Sequence, residues 1–191
     1  TQLQVGSLRD FERFLRATAL RTAGLLNRAD LARDVGISPS TAGQWLSVLE
    51  RSGVVTLLEP WFSNATKSLV KTPKLHFRDT GLCAFLMGIV SRDDLTNSPL
   101  AGSLWESMVC GELARLTQTG AAPWHLAFWR DRTKEADFLL HRAGHFRLAD
   151  AKWSEHPDGP GKLALVRREM EPAPESAIIC RAANRYPIAP G

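Results

Sequence analysis

Two runs, Glu135-Ala136-Asp137-Phe138-Leu139-Leu140 and Phe146-Arg147-Leu148-Ala149-Asp150-Ala151-Lys152-Trp153, flank the turn His141-Arg142-Ala143-Gly144-His145, and their reading decides the fold. Apolar and polar residues alternate on both sides of a glycine-containing turn, which predicts two adjacent half-buried strands. Side chains along a strand point to alternate faces. Asp137 therefore shares a face with Glu135 and Leu139, and Asp150 shares one with Leu148 and Lys152. Ala149 and Ala151 take the opposite face, where small side chains suit close packing against a helix. An Asp and a Lys two apart on one strand thus project into one space, and Asp137 on the neighbouring strand can join them.

Two carboxylates and an ammonium group so placed suit metal-dependent phosphodiester hydrolysis. Magnesium takes hard oxygen ligands and keeps several waters, so two carboxylates, a backbone carbonyl and a substrate phosphate are enough to hold it. Magnesium or manganese lowers the pKa of water and stabilises charge on the phosphate. Lys152 can orient the attacking water and stabilise the transition state. Its charge also offsets the mutual repulsion of Asp137 and Asp150. Asp137 and Asp150 are the expected metal ligands, and Lys152 the expected catalytic cation.

Outward from this pair, Leu104–Leu116 predicts a helix on which Glu106 shares a face with Val109, Cys110 and Leu113. A carboxylate on an apolar face needs a metal ion, an Arg or Lys partner, or a solvent-filled cleft, because burying it alone is costly. Glu106 is accordingly a candidate catalytic residue and metal ligand. Further strands are expected over Trp124–Trp129 and Ala177–Cys180, with a helix over Gly161–Met170. Residues 99–191 then form one domain, a mixed β-sheet flanked by helices.

The N-terminal half reads differently. Phe11, Phe14, Leu15 and Ala19 recur at helical spacing. Asn27 stands as N-cap to a short helix Arg28–Val35, with Gly36 at its C-terminal cap. Ser38 caps the next helix, with Pro39 at its first position and Ala42, Trp45, Leu46 and Leu49 on one face. Gly53 ends it near Arg51. Val54–Leu58 reads as a strand, with Leu69-Val70 and Lys74–Arg78 as its return. Helix, glycine turn, capped helix and hairpin together predict a winged helix–turn–helix over residues 1–98. In that reading Ser40, Thr41 and Gln44 face DNA base edges, while Lys67, Lys71 and Lys74 on the wing meet phosphates. The second helix has no Lys or Arg between Pro39 and Glu50, so the same domain equally suits protein–protein contact. Asp79 predicts an N-cap for a helix over Thr80–Gly88, and Ser91–Pro99 is expected to be a polar linker.

Composition sets the outer bounds. Hydrophobic residues are 44% and charged residues 23% of 191, an ordinary globular composition. The net charge of +4 comes mostly from residues 1–100, which hold 12 basic and 9 acidic residues. No apolar run approaches the ~20 residues that span a bilayer. Cys83, Cys110 and Cys180 have no C-x-x-C spacing, which excludes a zinc ribbon and fits a reducing cytoplasm. Thr1–Ser7 lack a basic segment followed by an apolar one, and the chain reads as a piece of a longer protein.

Asp137, twelve residues, then Asp150-Ala151-Lys152 resembles the D-x(n)-(D/E)-x-K signature of the restriction-endonuclease-like PD-(D/E)xK superfamily, and Glu106 is similar to the helical Glu that often precedes it. The whole chain resembles the C-terminal region of a prokaryotic family of AAA-type ATP-binding proteins. The segments that carry this are Leu31–Ser38, Lys71–Leu82, Gly102–Glu106 and Phe128-Trp129-Arg130 leading into Glu135–Phe138. The resemblance implies an ATPase domain in the full-length protein, then a winged helix, then a domain of unknown function with a restriction-endonuclease-like core, α+β overall. Two departures stand out: Ala136 replaces the Pro of the signature, and Asp150 replaces the more usual Glu.

The chain has no ATP site of its own, because His156 and Leu163 occupy the Gly and Ser/Thr positions that a phosphate-binding loop around Gly161-Lys162 requires. His141 and His145 bracket a turn and do not read as a zinc pair. The leading expectation is a cytoplasmic, DNA-associated module with a metal-dependent nuclease site. The alternatives are a catalytically inactive module docking the ATPase domain, and a winged-helix DNA-binding regulator.

Overall fold

The computed structural model describes residues 8–61, 71–119 and 123–184. The fold is mixed α+β with two sheets. The chain divides into two compact units, one from Thr1–Leu57 and Thr72–Ser107, the other from Leu58–Lys71 and Met108–Gly191.

In the first unit α1 (Leu8–Ala19) is followed by the short β1 (Gly24–Leu25), α2 (Arg28–Val35) and α3 (Pro39–Arg51). The Asn27 side chain accepts from the backbone N–H groups of Ala29 and Asp30, and Ser38 accepts from Thr41. Such caps are each worth about 1 kcal/mol. Gly36 closes α2 at φ 81°, a left-handed conformation that glycine adopts without a Cβ clash. β2 (Val55–Leu58) and β1 flank the central β3 (Lys74–Phe77) in a three-stranded sheet. Phe14, Leu31, Leu46, Leu49 and Phe77 fill the core, and Phe14 meets Trp45 edge-on at 5.2 Å. Edge-on rings add about 0.5–1.5 kcal/mol beyond their burial.

The unit continues through α4 (Thr80–Leu86) and α5 (Arg92–Asn97). The polar linker expected at Ser91–Pro99 is instead a capped helical turn. Ser91 accepts from the Asp94 N–H while the Asp94 carboxylate accepts from the Ser91 N–H, a reciprocal capping box. Composition there is polar because no α5 residue is buried. β1 is likewise unannounced, since two residues cannot display a period.

α6 (Ala101–Gln118) begins in the first unit and ends in the second. In the second unit β4 (His125–Arg130), β5 (Glu135–Arg142), β6 (His145–Ala151) and β7 (Glu175–Ile179) form a four-stranded sheet in that order. β4, β5 and β6 run antiparallel, and β7 joins β6 in parallel. A parallel neighbour needs a crossover, which α7 (Gly161–Arg168) supplies. Leu163 and Val166 of α7 pack with Leu139 and Leu148 of the sheet, all at most 2% exposed. Each such burial is worth about 1.5–3 kcal/mol. Leu139 and Leu148 are register partners, which fixes Asp137 and Asp150 two residues further along the same face.

Candidate functional site

The β5–β6 register runs from Arg142↔His145 to Phe138↔Ala149. Beyond it the two aspartates take over backbone hydrogen bonding. The Asp137 N–H donates to Asp150 Oδ1 at 3.1 Å, and the Ala151 N–H donates to Asp137 Oδ2 at 3.0 Å. Each carboxylate thus fastens the other's strand, at the fork where one ladder ends. β6 keeps its pairing to β7 there through Asp150↔Ile178 and Ala151↔Ile179.

Asp150 is buried, its side chain only 6% exposed, and the Lys152 ammonium lies 3.5 Å from Asp150 Oδ2. Burial, then the neighbouring Asp137 charge, push the Asp150 carboxyl above its ordinary pKa. The Asp137 N–H and Lys152 act in the opposite direction without overcoming them. Lys152 itself remains exposed. The structure therefore brings Asp137, Asp150 and Lys152 together, as the strand alternation predicts.

Glu106 has a different setting. Its carboxylate accepts from the Lys74 ammonium at 2.8 Å, and both belong to the first unit. The Lys74 side chain is 3% exposed and that of Glu106 is 16% exposed. Of the three reasons a carboxylate could lie on this helix face, a lysine partner is present. Lys74 is correspondingly not on an exposed face, as contact with phosphates requires. β3 is the central strand of its sheet, and all four of its residues are buried. Next to this pair, His76 Nδ1 lies 3.1 Å from Ser107 Oγ, which lies 2.7 Å from Thr22 Oγ1. Burial, then the Lys74 charge, lower the His76 pKa to about 3. Sequence reading missed this cluster. Its signal was the alternation of polar and apolar residues in Lys74-Leu75-His76-Phe77, which reads as a half-exposed strand.

Ser40 and Gln44 are exposed on α3, while Thr41 is half-buried with its hydroxyl 2.8 Å from Ser38 Oγ. Lys71 is exposed. Lys67 lies outside the described residues, as do Leu69 and Val70.

Among the described residues no group of three or more His, Cys, Asp or Glu side chains could hold a metal ion. A tetrahedral zinc cage is therefore not formed by them. Magnesium and manganese are different, because one or two carboxylates with water and phosphate complete their shell. The hard oxygens of Asp137 and Asp150 fit that requirement. A cation there would also offset the burial and the Asp137 repulsion that together raise the Asp150 pKa.

Two family models match the chain. A domain of unknown function (DUF8612) covers residues 2–93, and a domain of unknown function (DUF4143) covers residues 101–190. An uncharacterized protein of Mycobacterium tuberculosis and an uncharacterized protein of Mycobacterium bovis are each 33% identical over 165 residues. The matched stretch is 86% of this chain and 36% of each relative, so the chain spans about a third of the length of these curated relatives. No solved structure matches the chain. Among the described residues, no helix is long and apolar enough to cross a membrane.

Proposed function

We propose that this chain is a DNA-associated module of a larger ATP-binding protein, with a winged helix–turn–helix followed by a restriction-endonuclease-like core that hydrolyses phosphodiesters. The observation that carries the reading is Asp150, buried beside a second carboxylate at the fork of two strands. Such a pair is unfavourable by itself, and a buried carboxyl held above its ordinary pKa beside a second carboxylate is an arrangement that concentrates at functional sites.

Asp137 and Asp150 would hold magnesium or manganese, which supplies a water of lowered pKa and charge neutralisation at the phosphate. Lys152, exposed at the strand end, positions the attacking water and stabilises negative charge developing on the phosphate. The backbone bonds from the Asp137 and Ala151 N–H groups fix both carboxylates before substrate arrives. Glu106 stays with Lys74 and is not needed for this chemistry. DNA is the proposed substrate and the ATPase domain of the full-length protein the proposed partner.

Manganese titration calorimetry and a plasmid-nicking assay test the reading together. The chain is expected to bind manganese, to nick DNA only with magnesium or manganese, and to lose both properties in Asp150→Ala. Nicking that survives Asp150→Ala, or manganese binding unaffected by Asp137→Ala, overturns it.

A second reading is favoured by the mutual strand fastening. Asp137 and Asp150 each satisfy a backbone N–H, as carboxylates that merely end a sheet would do. The module would then be catalytically inactive and serve as a docking surface for the ATPase domain. It predicts no metal binding, and full-length protein whose domain association is weakened by Lys152→Ala.

A further inference from the structure

The four-stranded sheet of the second unit ends differently at its two edges. β4, at one edge, is covered. The Trp61 N–H donates to the Phe128 carbonyl at 2.7 Å, the Phe128 N–H donates to the Glu59 carbonyl at 3.1 Å, and Pro60 bridges to Phe128. β7, at the other edge, pairs with β6 alone among the described residues. The Lys152 N–H donates to the Ile179 carbonyl at 3.0 Å. In a parallel ladder, alternate residues of one strand bond to the same neighbour. Glu175, Ala177 and Ile179 therefore turn their backbone groups to β6, and Ser176 and Ile178 turn theirs outward. Glu175, Ser176 and Ala177 are exposed.

An open edge is a template for another strand, and proteins that keep one unpaired guard it with a lysine, a proline or a bulge. Glu175-Ser176-Ala177-Ile178-Ile179 has none of these. The charges around it are complementary in a self-pairing. The Glu175 carboxylate lies 3.0 Å from Arg147 and remains 80% exposed. Arg181 lies 2.9 Å from Glu155, with its guanidinium carbon 4.2 Å from the centre of the Trp153 ring. Antiparallel pairing about a twofold axis at Ile178 sets Glu175 opposite Arg181 of a second copy, and Ser176 opposite Cys180. Arg147, Glu175, Arg181 and Glu155 then alternate in sign across the junction, and neither existing ion pair has to break. An axis at Ala177 or at Ile179 sets Glu175 against Ile179 or Ala183, neither of which is charged.

We infer that β7 is a self-association edge, on which two copies of this chain pair antiparallel about Ile178 and join their four-stranded sheets into one. The outward groups of Ser176, Ile178 and Cys180 then supply about six interstrand hydrogen bonds. A foreign strand could use the same backbone groups, but a second copy also brings Arg181 to Glu175 at both ends. Asp150 is the register partner of Ile178. The axis therefore sets Asp150 of the two copies about 14 Å apart, three strand spacings, on one face of the joined sheet. The pairing rests on the backbone edge and is independent of the metal chemistry proposed above.

Sedimentation velocity on the chain, from micromolar to near-millimolar concentration and in excess chelator, tests it. A concentration-dependent monomer–dimer equilibrium is expected. Ser176→Pro removes only an outward N–H, so the β6–β7 ladder stays intact while the dimer weakens at least about tenfold. Mild oxidation reads the register separately, without the proline. Opposed residues that exchange hydrogen bonds have Cα atoms about 5.5 Å apart, within reach of a disulfide. Ser176→Cys is expected to form a covalent dimer through Cys180 of the second copy, whereas the parent and Ala177→Cys stay unlinked. The inference is overturned if the chain is monomeric throughout the range, if the dimer survives Ser176→Pro, or if Ala177→Cys cross-links as readily as Ser176→Cys. A dimer that fails to nick when metal is restored sinks only the nuclease reading, and a monomer that nicks sinks only this inference.

Discussion

Glu106 and Asp150 are both carboxylates withdrawn from water, and they are treated in opposite ways. Glu106 faces the Lys74 ammonium at 2.8 Å, within a cluster that also holds His76, Ser107 and Thr22. Asp150 faces Asp137, with its lysine at 3.5 Å and exposed. The first arrangement is charge-balanced and suits a fixed structure. The second sets two carboxylates side by side with an exposed lysine, and in the proposed reading it takes up a cation. In the proposed reading the contrast separates a carboxylate that holds the fold from one positioned for chemistry.

The largest test of the contrast is truncation of Glu106. Removing one partner of a buried ion pair costs about 3–5 kcal/mol because the other charge stays buried. Glu106→Ala should therefore be severely destabilised in urea melts. The double variant Glu106→Leu/Lys74→Met should recover most of that loss. A Glu106→Ala protein of parental stability but without metal binding would return Glu106 to the metal site.

Next in size is the pH response of the same cluster. His76 has a folded pKa of about 3 against an unfolded value of 6.5. Between these values the unfolded chain binds more protons, so the stabilisation is complete above pH 6.5 and is lost progressively as pH falls toward 3. From pH 6.5 to pH 5 the loss amounts to roughly 2 kcal/mol. Urea midpoints measured across that range should fall, and His76→Phe should flatten the fall. An unchanged pH profile in His76→Phe would break the assignment.

The fork should respond the other way. Asp150→Asn removes a charge whose burial is opposed by Asp137, yet it can still accept the Asp137 N–H. The melting temperature of the metal-free protein should rise by about 2–4 °C, the shift expected of roughly 1 kcal/mol at this length. Manganese binding should vanish in the same variant. Because the Asp150 pKa is raised, manganese affinity in the parent should begin to fall at a pH above the ordinary carboxylate range. A lowered melting temperature in Asp150→Asn would place this aspartate with Glu106 as a structural residue.

The smallest effect concerns a thiol. Burial raises the Cys83 pKa to about 12, so alkylation of native protein at pH 8 should spare it. Peptide mapping after iodoacetamide treatment should find modification at the half-buried Cys180 first. Rapid modification of Cys83 would show that the first unit opens more readily than its packed core implies.

Much of the architecture was legible because short-range chemistry carries it. Asn27, Gly36, Ser38 and Pro39 announce the ends of α2 and α3 through interactions within a few residues. The alternation around Asp137 and Asp150 places them on one face because a strand has a period of two. The same logic fails where the determining contact lies far along the chain. Lys74 reads as a surface cation until β3 becomes a central strand, and its partner Glu106 is 32 residues away. Ser91–Pro99 reads as a linker because its capping box stabilises a turn that buries nothing.

The sequence by itself determined the mixed α+β order, the helix caps, the paired strands and the meeting of Asp137, Asp150 and Lys152. Periods and caps are local, and the chain states them wherever it folds. Only the tertiary structure decided which charge each carboxylate faces. That choice depends on which strand becomes central and where a ladder ends, and burial then multiplies its consequence, because a charge withdrawn from water must find its partner within the protein.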